Sequence, residues 1–191
     1  MRERRVSAQG RESRELILDT ALEVIGRRGY GATSLRDIAG EVGMTQAGML
    51  HHFGTKENLL VEVLRRRDAA TREALAEQSG AEPPSVRVAR RNAESPALVH
   101  LYSNLLVAAS APDHPARSFF EERQQSVHGV VAADIRARQE AGGMPAGVDA
   151  DTAATVLLAL SDGLQLQQGV DSSIDIAEVL AWTWARLAGA D

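Results

Sequence analysis

Residues 45–52 read Thr-Gln-Ala-Gly-Met-Leu-His-His, a run whose polar groups suit hydrogen bonding to a surface better than covalent chemistry. The Gln46 amide can donate and accept at once, which matches the edge of an adenine; a solvated glutamine is the plain alternative. Ala47 and Gly48 add almost no bulk, so a helix carrying them can lie close to base edges in a major groove. His51 and His52 can donate to phosphate oxygens. Being adjacent, they point in different directions on a helix and cannot easily share a metal. His52, beside Phe53, could instead pack against the first helix. Thr33, Ser34 and Thr45 read first as helix caps, and a cap hydroxyl at a helix N-terminus can also face a phosphate.

These side chains need a frame that holds one short helix outward. Ile38, Ala39 and Val42 recur at helical spacing, and Gly43 follows where a helix end favours positive φ. Thr45 opens the second short helix, about 46–52, and Phe53 closes a small core. Thr55 then caps the next helix, with Glu57 in its first turn complementing the dipole. Helix, tight turn, short helix and a capped third helix is the plan of a DNA-binding helix-turn-helix.

The segment resembles the DNA-binding domain of the TetR family of bacterial transcriptional repressors. The resemblance rests on Gly29, Thr33, Ser34, Ile38, Ala39, Val42, Gly43, Thr45, Phe53, Lys56, Glu57 and Leu59 at their spacing. Many members end the recognition helix in leucine-tyrosine-x-histidine-phenylalanine. Here Met49, Leu50, His51, His52 and Phe53 stand there, so Leu50 replaces a tyrosine that often touches the DNA backbone. The resemblance implies that Lys56 reaches a phosphate. It also implies dimerisation through the last two long helices and an effector pocket among the middle ones. It covers about the first third of the chain.

The 191 residues can bury a real core. Hydrophobic content of 44% and charged content of 25% are those of an ordinary globular chain. Without cysteine there are no disulfides, thiolate nucleophiles or thiolate metal sites, which fits the cytoplasm. The polar stretch 1–15 lacks the apolar core of a signal peptide, and apolar runs such as 156–160 are too short to span a bilayer. Residues 1–67 hold 12 basic and 9 acidic residues, and 68–191 hold 9 and 17. The net charge of −5 is therefore a mildly basic head on an acidic body.

The chain predicts an all-α fold of about nine helices. Residues 1–10 read as a flexible basic arm, in which Arg2, Arg4 and Arg5 enter a minor groove or form a charged tail with no fixed role. Residues 11–60 read as the DNA-binding domain and 61–191 as a ligand-binding and dimerisation domain. The first helix is expected over 11–28, with Leu16, Ile17, Thr20, Ala21, Val24 and Ile25 buried. The fourth runs from Lys56 towards 78–80. Others are expected at 85–93, 96–110 and 116–141. One opening at Asp149 or Asp151 reaches about 168, and one opening at Ser172 or Ser173 reaches about 188. The segments 153–166 and 174–187 carry more apolar surface than one core face needs, which predicts a homodimer.

Catalytic signatures are missing: there is no His-Glu-x-x-His, phosphate-binding glycine loop or nucleophile elbow. No cofactor, metal or membrane is expected. The expected partners are a double-stranded DNA operator, a second copy of the chain and a small-molecule effector. Tyr102, Gln124 and His128 lie on apolar faces and are candidate effector contacts, although a satisfied core tyrosine or histidine is the commoner reading. Residues 95–112 contain no acid, which suggests an apolar or anionic effector. The resulting expectation is a ligand-released repressor. A ligand-independent regulator and a helical enzyme or carrier are the rivals.

Overall fold

The computed structural model describes residues 8–76 and 82–189, and among them it is all α-helix. The elements are α1 (Ala8–Arg28), α2 (Leu35–Val42), α3 (Gln46–Phe53), α4 (Lys56–Ala76), α5 (Pro84–Ala93), α6 (Pro96–Ala108), α7 (Arg117–Glu140), α8 (Ala150–Gln168) and α9 (Ile176–Leu187). Helix period and caps thus locate nine elements to within a few residues. The arm splits, however: residues 1–7, with Arg2, Arg4 and Arg5, lie outside the described residues, whereas Ala8, Gln9 and Gly10 form the first turn of α1. The expected fade of α4 at 78–80 also lies outside them.

Two assignments change. The last helix opens not at Ser172 or Ser173 but at Asp175, whose carboxylate accepts from the Glu178 N–H at 3.0 Å. Ser173 is held back in the preceding turn, where its hydroxyl and N–H both donate to Asp171. Leu16, expected inside, is 53% exposed, while Leu18 is buried in its place. The apolar run 16–18 left the phase of α1 ambiguous by one residue, and packing chose it. For α8 the cap is Asp149, accepting from the Thr152 N–H at 2.8 Å; Asp151 instead pairs with Arg136 at 2.6 Å.

In the head, α1 lies across α2, α3 and α4. Gly43 takes φ 78°, and its N–H closes the end of α2, so the chain turns sharply into α3. Ile17, Ala21, Val24, Ile38, Met49, Phe53 and Leu59 fill the space between. This core does not stop at the head. It continues through Leu98, Leu101, Tyr102 and Leu105 of α6 to Phe119 and Phe120 of α7. A second cluster joins α5, the later part of α7, α8 and α9 around Val86, Ile135, Leu157 and Leu180.

The middle of α4 ties the two cores together. Arg66 bonds Glu15 and Asp19 of α1, Arg65 reaches Glu122 of α7 at 3.4 Å, and Arg67 donates to Asn92 of α5. Next in line, Asp68 accepts from Arg123 of α7 at 2.7 Å. Four consecutive residues therefore contact three other helices, and a rotation of α4 would have to break several charge-assisted bonds. No described helix is long and apolar enough to cross a membrane.

Candidate nucleic-acid interface and effector region

The recognition helix α3 is built to be held from behind and bare in front. Met49 and Phe53, four residues apart, are buried against α1, α2 and α4. Gln46, Ala47, Gly48 and His51 are exposed on the opposite side, and Leu50 and His52 are half-buried at its edges. Thr45 caps the helix, its hydroxyl oxygen accepting from the Gly48 N–H at 3.1 Å. A Cβ at position 48 would come within 3.2 Å of that same oxygen, so glycine here serves the cap as well as the slim face. The far end is pinned by Arg14, which donates to the His52 carbonyl at 2.6 Å and lies over the Phe53 ring at 4.3 Å. Asn58 donates to the Phe53 carbonyl at 3.1 Å.

Two hydroxyls divide roles that the sequence left shared. Ser34 caps α2: its hydroxyl oxygen accepts from the Asp37 N–H at 3.2 Å, while its own N–H donates to the Asp37 carboxylate at 2.8 Å. Thr33 is not a cap; its hydroxyl donates back to the Gly29 carbonyl at 2.8 Å. The Asp37 carboxyl lies below the usual range, first through the Ser34 hydroxyl, then through the Ser34 N–H, with Arg28 adding attraction.

This box should therefore respond to pH. A depressed carboxyl contributes its full stabilisation above the ordinary carboxylate pKa, near about 4, and loses it as pH falls through the folded value. We expect Ser34→Ala to lower the thermal midpoint by about 2–4 °C at neutral pH. The gap to the unsubstituted protein should shrink below about pH 4. An equal gap at pH 3 and pH 7 would remove the carboxylate from the account.

Most cations of the head are already neutralised. Arg14 pairs with Glu62, Arg27 and Arg28 with Glu41, Arg65 with Glu62 and Glu122, and Arg66 with Glu15 and Asp19. Among the described residues, Lys56 and Arg36 have no carboxylate within 4.0 Å. Lys56 stands at the first position of α4, its ammonium 5.7 Å from the centre of the Tyr30 ring. Arg36 is exposed in the first turn of α2. It escaped the sequence reading because nothing local separates a free arginine from a paired one.

In the body, the three proposed effector contacts do not converge. Tyr102 is 4% exposed, and its hydroxyl donates to Asp162 of α8 at 3.1 Å while accepting from Arg123 at 3.2 Å. Gln124 is exposed on the outer side of α7. His128 is half-buried and turns to α8, with Nε2 3.0 Å from the Asp151 carbonyl and 3.3 Å from the Thr155 hydroxyl. The shared apolar face of Gln124 and His128 is thus an edge of α7 rather than a pocket wall.

The expectation of a site free of acids also fails around Tyr102. Stretch 95–112 contains none, yet α4 and α8 bring Asp68 and Asp162 to it. Burial raises the Tyr102 hydroxyl far above its ordinary pKa, and burial also raises Asp162. Arg123 is pulled down by burial, but Tyr102 and Asp68 outweigh that and raise it. The sequence could not announce this cluster, because its members lie 21 to 60 residues apart in the hydrogen bonds they make.

Clefts open on either side of these helices. One of about 250 Å³ lies at the head–body junction between Arg14, Phe53, Glu62, Arg65 and Phe119. Another of about 420 Å³ lies between α5 and the α8–α9 connection, lined by Asn92, Val99, Gln168 and Ile176. Neither is lined by Tyr102, Gln124 or His128, the expected effector contacts.

Known proteins place this architecture. Residues 17–63 match the family model for bacterial regulatory proteins of the tetR family. Residues 87–190, more than half the chain, match that for the C-terminal part of BetI-type transcriptional repressors. The HTH-type transcriptional regulator BetI of Rhizobium meliloti is 29% identical over 170 residues, which are 84% of this chain and 79% of that one. A transcriptional regulator from Saccharomonospora viridis, solved in complex with choline, is 28% identical with a TM-score of 0.68, over 90% of this chain and 93% of that chain. A TetR transcription regulator from Haloarcula marismortui shares the fold at 20% identity and a TM-score of 0.73, over 94% and 97% of the two chains.

Proposed function

This chain belongs to the TetR family of bacterial regulatory proteins, and from that membership we propose that it is a cytoplasmic repressor. It binds a near-palindromic operator as a homodimer and is released by a small-molecule effector. The family's chains are DNA-binding regulators and not enzymes. The observation that carries the reading is α3: an exposed row of Gln46, Ala47, Gly48 and His51 on a helix anchored by Met49 and Phe53. Residues 11–60 supply the DNA contact, and 61–191 supply effector binding and dimerisation.

In this reading Gln46 meets a base edge, while Ala47 and Gly48 let the backbone approach. Thr33, Ser34, Thr45, His51, His52 and Lys56 meet phosphates, and Leu50 gives an apolar contact where many relatives place tyrosine. Ser34 can do so only by turning its hydroxyl proton, now donated to Asp37, towards the phosphate. Lys56 and Arg36 carry the unpaired charge that a phosphate can use. The effector part is supported by the choline complex of the relative from Saccharomonospora viridis.

Two substitutions test the DNA part on the promoter of the chain's own gene. Lys56→Ala is expected to weaken binding to every sequence alike and to lower the salt dependence of log K by about one unit of slope. Gln46→Ala is expected to cost about 1–3 kcal/mol on the preferred site and to relax the choice at one base pair. Binding that stayed tight with unchanged preference after Gln46→Ala would take base reading away from that residue.

A further inference from the structure

Lys56 has an aromatic neighbour whose polar tip is idle within the protein. Its ammonium lies 5.7 Å from the centre of the Tyr30 ring, within the range of a cation–π contact. Tyr30 stands in the connection between α1 and α2, which its own hydrogen bonds hold in shape. Gly29 takes φ 84°, the Thr33 hydroxyl donates to the Gly29 carbonyl at 2.8 Å, and the Thr33 N–H donates to the Tyr30 carbonyl at 3.3 Å. The Tyr30 side chain is half-buried and packs against the core of the head. Its hydroxyl has a different situation. Among the described residues nothing hydrogen-bonds it, and it is not among the polar atoms sealed from solvent. A tyrosine with its body in a core and its tip in water is a donor held on a fixed base.

The two side chains complement each other. An ammonium on a flexible four-carbon stem loses rotamer freedom when it settles on a phosphate. The ring face restricts that freedom beforehand and leaves the charge intact, which a carboxylate partner would not. Lys56 has no such partner among the described residues within 4.0 Å. A DNA phosphate presents two free oxygens, so the ammonium can take one and the hydroxyl the other.

We propose that Tyr30 contacts DNA and positions Lys56: its ring holds the ammonium in place, and its hydroxyl donates to the same phosphate. This rests on the DNA-binding reading above. The two parts of one side chain then act differently. The hydroxyl adds affinity without adding charge, whereas the ring acts through the charge of Lys56.

The test measures anisotropy of the full chain on the promoter of its own gene and on an unrelated duplex, across a series of salt concentrations. Tyr30→Phe keeps the ring and removes the hydroxyl. It is expected to weaken binding to both duplexes by about tenfold, with the salt slope of the parent. Its thermal midpoint should stay within about 2 °C of the parent, because the hydroxyl makes no bond inside the fold. Tyr30→Leu removes the ring as well. It is expected to bind about two- to fivefold more weakly than Tyr30→Phe and to shift the salt slope towards that of Lys56→Ala. Once Lys56 is alanine, the ring has nothing left to hold, so Tyr30→Leu should then cost no more than Tyr30→Phe. If Tyr30→Leu does not fold, Tyr30→Phe alone decides the hydroxyl, and Tyr30→Trp, which keeps an aromatic face, replaces the leucine variant with the parent's slope as its expected result. Unchanged affinity in Tyr30→Phe would overturn the contact, and a loss confined to one duplex would overturn its assignment to a phosphate. Tyr30→Leu with the parent's slope, Tyr30→Trp with the slope of Lys56→Ala, or an equal further loss from Tyr30→Leu without Lys56 would overturn positioning. A parent protein that binds neither duplex would overturn the DNA-binding reading itself.

Discussion

Leu166→Glu combined with Trp182→Glu is expected to turn the proposed dimer into a monomer and to weaken operator binding by about 10²–10⁴-fold. The motive is a row of side chains left uncovered on α8 and just beyond it. Val156, Ala159, Gly163, Leu166 and Val170 follow one another at spacings of three and four, the period of a helix–helix seam. Val156 is 50% exposed, Leu166 52% and Val170 93%, and Trp182 of α9 adds 61% beside them. A Cβ at Gly163 would meet nothing within 4 Å, so a partner helix can approach closely there. Burying a side chain of leucine size contributes about 1.5–3 kcal/mol, and a carboxylate forced into the same place must be desolvated without a partner. Each head of a dimer binds its half-site with the other already engaged, and a monomer loses that gain. Sedimentation at micromolar concentration and fluorescence anisotropy on operator DNA measure the two effects. A doubly substituted protein that remained dimeric would move the interface elsewhere. A monomer that bound operator as tightly as the parent would remove the need for a dimer.

Met49→Ala is expected to lower the thermal midpoint by about 5–15 °C and to weaken DNA binding at the same time. Met49 has no exposed surface and sits on the inner side of the recognition helix, against α1 and α2. Its truncation removes transfer energy and leaves a cavity, together about 2–5 kcal/mol. That is a large part of the roughly 5–15 kcal/mol that holds a typical fold. With only eight residues, α3 cannot persist without its tertiary anchors. Met49→Leu keeps the volume and should cost less than about 1.5 kcal/mol. Calorimetry and anisotropy on the two variants check this. A midpoint unchanged by Met49→Ala would mean that the head relaxes around the gap. A lowered midpoint with unchanged DNA affinity would mean that α3 is placed by Phe53 and its cap alone.

What the sequence alone determined is local. The caps at Thr45 and Thr55, the positive-φ turn at Gly43 and the apolar spacing of the helices are interactions within three or four residues. They place nine helices and the exposed row on α3. Local chemistry failed where two readings were equally good over a short range. Thr33 and Ser34 both read as caps, the sequence reading opens α9 at Ser172 or Ser173 where Asp175 does so, and it puts Leu16 inside where Leu18 is. Tertiary packing alone decided which charges remain available. Arg27, Arg28 and Arg66 are neutralised across helices, while Lys56 and Arg36 are not. It also decided the character of the body. A stretch without acids around Tyr102 receives Asp68 and Asp162 from two other helices, and Gln124 is turned to solvent. The physical reason is range: hydrogen-bonded turns and caps are set by neighbours along the chain, whereas the field at a buried side chain is set by whichever helices fold against it.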